Sequence, residues 1–192
     1  MSINAKDEDG RTELHRAKGD VQHLLARGAD PNIQDDGGWT PLISAASSGD
    51  FEKFRCLISH PSIDVNMLTE SGTSALHYAA SKGHNEILTL LLQRDDIKMD
   101  VQDTNSRFTP LMRAIISKKN LCAQKLIQAG AKLNLRDVEG DTALHHAAMT
   151  DNIPIALMLI ENGAKTDIEN KQHQTALQVA SPMMAQRIEE EA

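Results

Sequence analysis

The chain has 192 residues, 40% of them apolar and 24% charged, which is enough for a folded core in one or two domains. Its net charge of -7 argues against a nucleic-acid phosphate binder, which needs a basic surface. No apolar run approaches the roughly 20 residues of a membrane span, and Met1–Asp9 has no signal-peptide h-region.

Aromatics make up only 3% of the chain, so its core is one of Ala, Leu, Ile and Met in thin, closely stacked helices. The first element opens at Gly10-Arg11-Thr12-Glu13-Leu14-His15. Gly38-Trp39-Thr40-Pro41-Leu42 opens the next, with Ala45-Ala46 behind it. The pattern returns at Gly72-Thr73-Ser74-Ala75-Leu76-His77, at Arg107-Phe108-Thr109-Pro110-Leu111, at Gly140-Asp141-Thr142-Ala143-Leu144-His145 and at His173-Gln174-Thr175-Ala176-Leu177. In each copy the Thr is placed to cap a helix, and Pro is tolerated in its first turn. The Leu and the small Ala residues face inward. A second helix follows, with stripes at Ile87, Leu90 and Leu91, at Leu126 and Ile127, and at Ile155, Met158 and Leu159. Gly28, Gly130 and Gly163 end such helices as left-handed caps. Short extended pieces and turns such as Asp36-Gly37, Ser71-Gly72 and Glu139-Gly140 then read as projecting hairpin fingers.

The marker leucines are Leu14, Leu42, Leu76, Leu111, Leu144 and Leu177, separated by 28, 34, 35, 33 and 33 residues. A period near 33 with a Thr-Pro-Leu-His-x-Ala signature resembles the ankyrin repeat. The fold class implied is an all-α repeat solenoid of helix-turn-helix units with β-hairpin fingers. One domain over 1–192 holds about six repeats: a shortened first at 1–33, then 34–67, 68–101, 102–135 and 136–168, and a C-terminal cap at 169–192. Ser181-Pro182 starts the cap helix, whose charged tail Glu189–Glu191 reads as solvated. From marker Leu to cap Gly there are 19 residues in the fourth and fifth copies but 14 from Leu14 to Gly28. The missing residues fall around Arg16–Asp20, as either a degenerate cap or, the preferred reading, a shortened variant. Arg94–Asp100 replaces the usual Gly-Ala finger start.

Eight histidines invite a metal or catalytic reading, but His15, His77 and His145 share one repeat position and read as hydrogen-bonding links to neighbouring fingers. His145 and His146 are wrongly spaced to share a helix face. No zinc, hydrolase or phosphate-loop motif is present. The expectation is therefore no enzyme, no metal and no cofactor. Cys56 and Cys122 read as buried thiols of a reducing compartment. Met112, Met149, Met158, Met183 and Met184 read as core or cap filler. What remains is a concave binding surface. Arg11, Trp39, Thr73, Phe108, Asp141 and Gln174 occupy one signature position and are expected to project towards it. Trp39 reads either as an anchor there or as packing on a neighbouring finger.

Asp35-Asp36-Gly37-Gly38-Trp39, Ala75–Lys82 and Ile168–Ala180 resemble the gankyrin family, ankyrin-repeat assembly chaperones of the proteasome regulatory particle. The resemblance runs from about Asp7 to Ala180. It implies a protein of the cytoplasm and nucleus that grips the C-terminal domain of a base AAA+ ATPase subunit; the capped repeat array itself is expected to be a monomer, and charge and hydropathy point to no nucleic acid and no membrane. By motif matching, Asp9, Arg11, Asp36, Trp39, Lys82 and Arg113 are the implied partner contacts. Two departures stand out: the family's first repeat is absent, and an acidic family position falls on Thr150, where neighbouring Asp151 is a possible substitute. The alternative function is a generic ankyrin adaptor, or a binder like the inhibitors of cyclin-dependent kinases. A third, an enzyme or regulatory domain cut from a longer chain, is opposed by the cap helix.

Overall fold

The computed structural model describes residues 2–191, with side chains to residue 188, so the side chains of Glu189–Glu191 lie outside the described residues. Its helices are α1 (Glu13–Arg16), α2 (Val21–Ala26), α3 (Pro41–Ser48), α4 (Phe51–Ile58), α5 (Ala75–Lys82), α6 (Asn85–Leu92), α7 (Pro110–Ile116), α8 (Asn120–Gln128), α9 (Ala143–Met149), α10 (Ile153–Glu161), α11 (Ala176–Val179) and α12 (Pro182–Glu191). The odd-numbered inner helices start where the signature places them. Thr40 and Thr109 each accept the N–H three residues on, at 3.2 Å, and Pro41 and Pro110 follow where no N–H is needed. Thr12 and Thr142 instead form capping boxes with His15 and His145, whose Nδ1 accepts the cap N–H at 3.0 and 3.2 Å. Gln178 Oε1 closes the same box on Thr175 at 2.8 Å. The histidine Nε2 then carries the proton and donates to the next finger, to the carbonyl oxygens of Trp39 and Gln174, each at 3.0 Å.

Two compact units divide the chain: residues 1–79 with 84–98, and residues 80–83 with 99–192. In the first, Leu14, Leu42, Phe54, Leu57, Leu76, Ile87 and Leu91 are buried, and Ala45 and Ala46 let α3 lie close to its neighbours. In the second, Leu111, Met112, Ile115, Cys122, Leu126, Leu144, Ile155, Leu159, Met184 and Ile188 are buried. Burial raises the Cys122 thiol above its ordinary value, with Lys125 and Lys119 opposing. Ser181 caps α12 by accepting the Met184 N–H at 3.2 Å, as the Ser-Pro pair predicts.

Three expectations need correction, for Cys56, Met149 and Met183, and the fingers are shorter than full hairpins. The fingers are the tight closed ends of hairpins, without extended paired strands among the described residues. Two main-chain bonds close such a finger: Asp35 N–H to the Trp39 carbonyl at 2.8 Å with Gly38 N–H to the Asp35 carbonyl at 3.0 Å, and Asp137 N–H to the Asp141 carbonyl at 3.0 Å with Gly140 N–H to the Asp137 carbonyl at 3.1 Å. Among the described residues the one β-bridge pairs Leu68 with Ser74, because the chain enters a helix cap before a second rung can form. Cys56 is only half-buried. Met149 and Met183 are exposed, because they sit on the outer side of helix ends that no neighbour covers. The 94–100 segment is held by Arg94, which grips Asp96 with Nε and Nη2, each at 2.9 Å.

Candidate partner-binding site

The residue that starts each finger organises the site. Asp7, Asp35 and Asp137 each use Oδ1 to accept main-chain N–H groups two and four residues ahead. That leaves Oδ2 free to hold a side-chain donor. Asp7 Oδ2 holds Arg16 at 2.7 Å, and Asp137 Oδ2 accepts from His146 Nε2 at 2.9 Å. Asp103 Oδ2 grips Arg113 through Nε and Nη2, at 3.1 and 2.7 Å. Asp7 is held below the usual carboxylate range, chiefly by the Arg11 N–H.

The first unit brings four of the sequence-derived contacts together. Arg11, its side chain 52% exposed, lies 3.7 Å from exposed Asp9 and 3.5 Å from Asp35, whose side chain is 8% exposed. Asp36 is exposed, and its N–H donates to the Asp9 carbonyl across neighbouring fingers at 3.2 Å. Gly10 sits beneath this junction at φ 74°, where an added Cβ would strike the Asp36 carboxylate. Trp39 is half-buried, and its ring centroid lies 4.7 Å from that of Tyr78 at a tilt of 34°. A cleft of about 630 Å³ opens beside Arg11, Trp39 and buried Lys53.

The second unit holds the other two. Lys82, at the end of α5, is exposed and has no ion pair among the described residues. Arg113 is half-exposed, clamped by Asp103, and sits 5.4 Å over the Phe108 ring. His146 meets that ring edge-on at 5.3 Å. Thr150 turns its hydroxyl back to donate to the His146 carbonyl at 2.7 Å. Exposed Asp151 accepts the Ser181 hydroxyl at 2.7 Å.

The shared signature position does not always face outward. Thr73 and Asp141 are buried, because the Thr73 hydroxyl bonds Ser71 at 2.9 Å and Asn170 Nδ2 donates to Asp141 Oδ1 at 2.9 Å. Sequence reasoning missed Lys53, Tyr78 and Asp103. The last had a signal: an acidic residue recurs nine or ten positions before Arg16, Arg113 and His146. Among the described residues, no group of three His, Cys, Asp or Glu side chains is placed to hold a metal ion. No described helix is long and apolar enough to cross a membrane.

A family model described as ankyrin repeats in three copies matches residues 16–103, 57–137 and 111–187. The chain is 31% identical over 178 residues to the probable 26S proteasome regulatory subunit p28 of Saccharomyces cerevisiae, covering 86% of this chain and 77% of that one. It is 29% identical over 163 residues to the B-cell lymphoma 3 protein homolog of Mus musculus, covering 83% of this chain. Such relatives are often far longer: the chain spans 36% of that mouse protein. It spans 6% of the human neurogenic locus notch homolog protein 1. Among solved structures, the ankyrin repeat domain of Bcl-3 superposes with a TM-score of 0.89 at 26% identity, over 98% of this chain and 86% of that one.

Proposed function

The chain belongs to the ankyrin-repeat family, whose domains are protein-interaction modules, and we propose that it binds the C-terminal domain of a base AAA+ ATPase subunit as an assembly chaperone of the proteasome regulatory particle. The observation that carries this reading is the likeness to a proteasome regulatory subunit over 77% of that relative's length. In this reading the first unit contributes Asp9, Arg11, Asp36 and Trp39, and the second contributes Lys82 and Arg113. Exposed charges of both signs, with half-buried Trp39 and with Arg113 over Phe108, suit a contact in which electrostatics set register and on-rate more than affinity. The protein acts as a monomer in cytoplasm and nucleus and catalyses no reaction. Fold alone does not choose a partner, since function lives in sites placed on folds. A pull-down from cell extract followed by mass spectrometry tests the reading. Base ATPases of the proteasome are the expected catch. A cyclin-dependent kinase in their place would overturn it.

A further inference from the structure

The shortened first repeat leaves more than a short helix. α1 stops at Arg16, and Ala17–Asp20 runs directly into α2. The space a last helical turn would fill is open, as a cleft of about 630 Å³ bordered by Arg11, Arg16, Lys18, Trp39 and Lys53. Lys53 is 6% exposed, and its ammonium donates to the carbonyl oxygens of His15 and Ala17 at 2.7 and 3.1 Å. Carbonyl dipoles hold it, but no carboxylate is paired with it. Two carboxylates also border the cleft, and both are tied. Asp35 is bonded by Gly37 and Trp39 N–H groups and approached by Arg11. Asp50 caps α4 by accepting the Lys53 N–H at 3.1 Å. Arg16 is satisfied by Asp7. Lys18 and Lys53 are left as cations in no ion pair among the described residues, one exposed at the rim and one buried at the wall, with Asp50 acting on Lys53 only through space. A buried charge without a partner is costly, and an anion brought to it repairs that cost.

We infer that this cleft is an anion pocket that takes a carboxylate- or phosphate-bearing side chain of a protein partner, with Lys53 at its wall, Lys18 at its rim and Trp39 along one side. Only the source of the anion, a partner's peptide segment, rests on the protein-binding reading. The side chain would approach Lys18 first, where solvent is open, and then displace water from the Lys53 ammonium.

Trp39 is the one tryptophan of the chain, so its emission reports on the pocket. The full chain is titrated with a hexaglutamate peptide, with a serine peptide of equal length carrying phosphoserines, and with inorganic phosphate. A saturable change with a peptide is expected, and the tighter peptide identifies the side chain. Lys18→Glu, at an exposed position, should weaken it at least tenfold. Lys53→Gln, which keeps a donor for the carbonyls, should weaken it similarly without losing the thermal transition. Lys165→Glu, outside the first unit, should leave it unchanged. No saturable change with either peptide, or parent-like binding by both Lys18→Glu and Lys53→Gln, would overturn the pocket. Phosphate binding as tightly as the peptides would overturn the peptide source. A protein that takes the peptides yet ignores the ATPase domain keeps the pocket and loses the proposed partner.

Discussion

Lys53 Nζ lies 2.7 Å from the carbonyl oxygen of His15, so a residue of α4 caps the C-terminal end of α1 from 38 positions away. A four-residue helix has no interior: its last carbonyls have no N–H groups ahead to satisfy them. A cation is the strongest side-chain donor for that end, because the helix dipole is negative there. Burial lowers the Lys53 pKa from its ordinary value, and Asp50 opposes. Lys53→Met removes a charged donor from two carbonyls, a loss of about 1.5–3 kcal/mol. Urea unfolding measures it, and a change under about 0.5 kcal/mol would show that water caps α1 equally well.

The His15 capping box predicts a pH dependence. Burial holds the His15 imidazole below its ordinary value of 6.5, with the Trp39 carbonyl bond opposing. The unfolded chain titrates near 6.5. Below that pH the unfolded state binds a proton that the folded state resists, so stability falls as pH falls. Above that pH the contribution is fully present. His15→Gln should keep the box, as Gln178 does in α11, and remove this part of the slope. The comparison is the urea midpoint at about pH 7.5 and about pH 5.5. An unchanged slope in His15→Gln would contradict the assignment.

Much of this was legible in the sequence and some was not. Thr40, Pro41, Leu42 and the cap glycines announce themselves, because capping and helix ends are local chemistry repeated at a fixed period. Lys53 does not. In Phe51-Glu52-Lys53-Phe54-Arg55 it is one charge among three, and its burial depends on a gap left by a different repeat. Thr73 and Asp141 were misread for a related reason. What covers Asp141 is Asn170 of the next finger, and the lean of one finger onto another is not written in either finger alone. Trp39 kept two readings in the sequence. It packs against Tyr78 while staying half-exposed.

The first unit should open from its N-terminal end. α1 and α2 have 4 and 6 residues, whereas α3 and α4 have 8 each. Repeat stability is roughly a sum over neighbours, so residues 1–30 should exchange amide hydrogens well below the global unfolding free energy. Protection equal to that of residues 76–160 would contradict this.

Arg113 carries a structural duty that a binding test must separate. Asp103 is 1% exposed at its side chain, and Arg113→Ala would remove both guanidinium bonds to its Oδ2. A loss of about 1–3 kcal/mol of stability is expected. Arg113→Lys keeps a charge near Asp103 but not the two-pronged grip, and should lose less. Thermal melts of the two variants decide it, and equal melts would mean that water replaces the guanidinium.

Lys82 has no such duty, which makes it the clearest probe of function. It is exposed, it ends α5, and no ion pair holds it among the described residues. Surface substitutions of this kind shift stability by about 0.5 kcal/mol or less. Reversing a charge that faces a partner carboxylate turns attraction into repulsion, and close interfacial pairs couple by roughly 1.5–7 kcal/mol. The measurement is calorimetric affinity of parent and Lys82→Glu for the isolated C-terminal domain of the proteasomal ATPase, with a melt of each. The account predicts binding weakened at least about tenfold, or roughly 1.4 kcal/mol, with an unchanged melt. Parent-like affinity with an unchanged melt would contradict it.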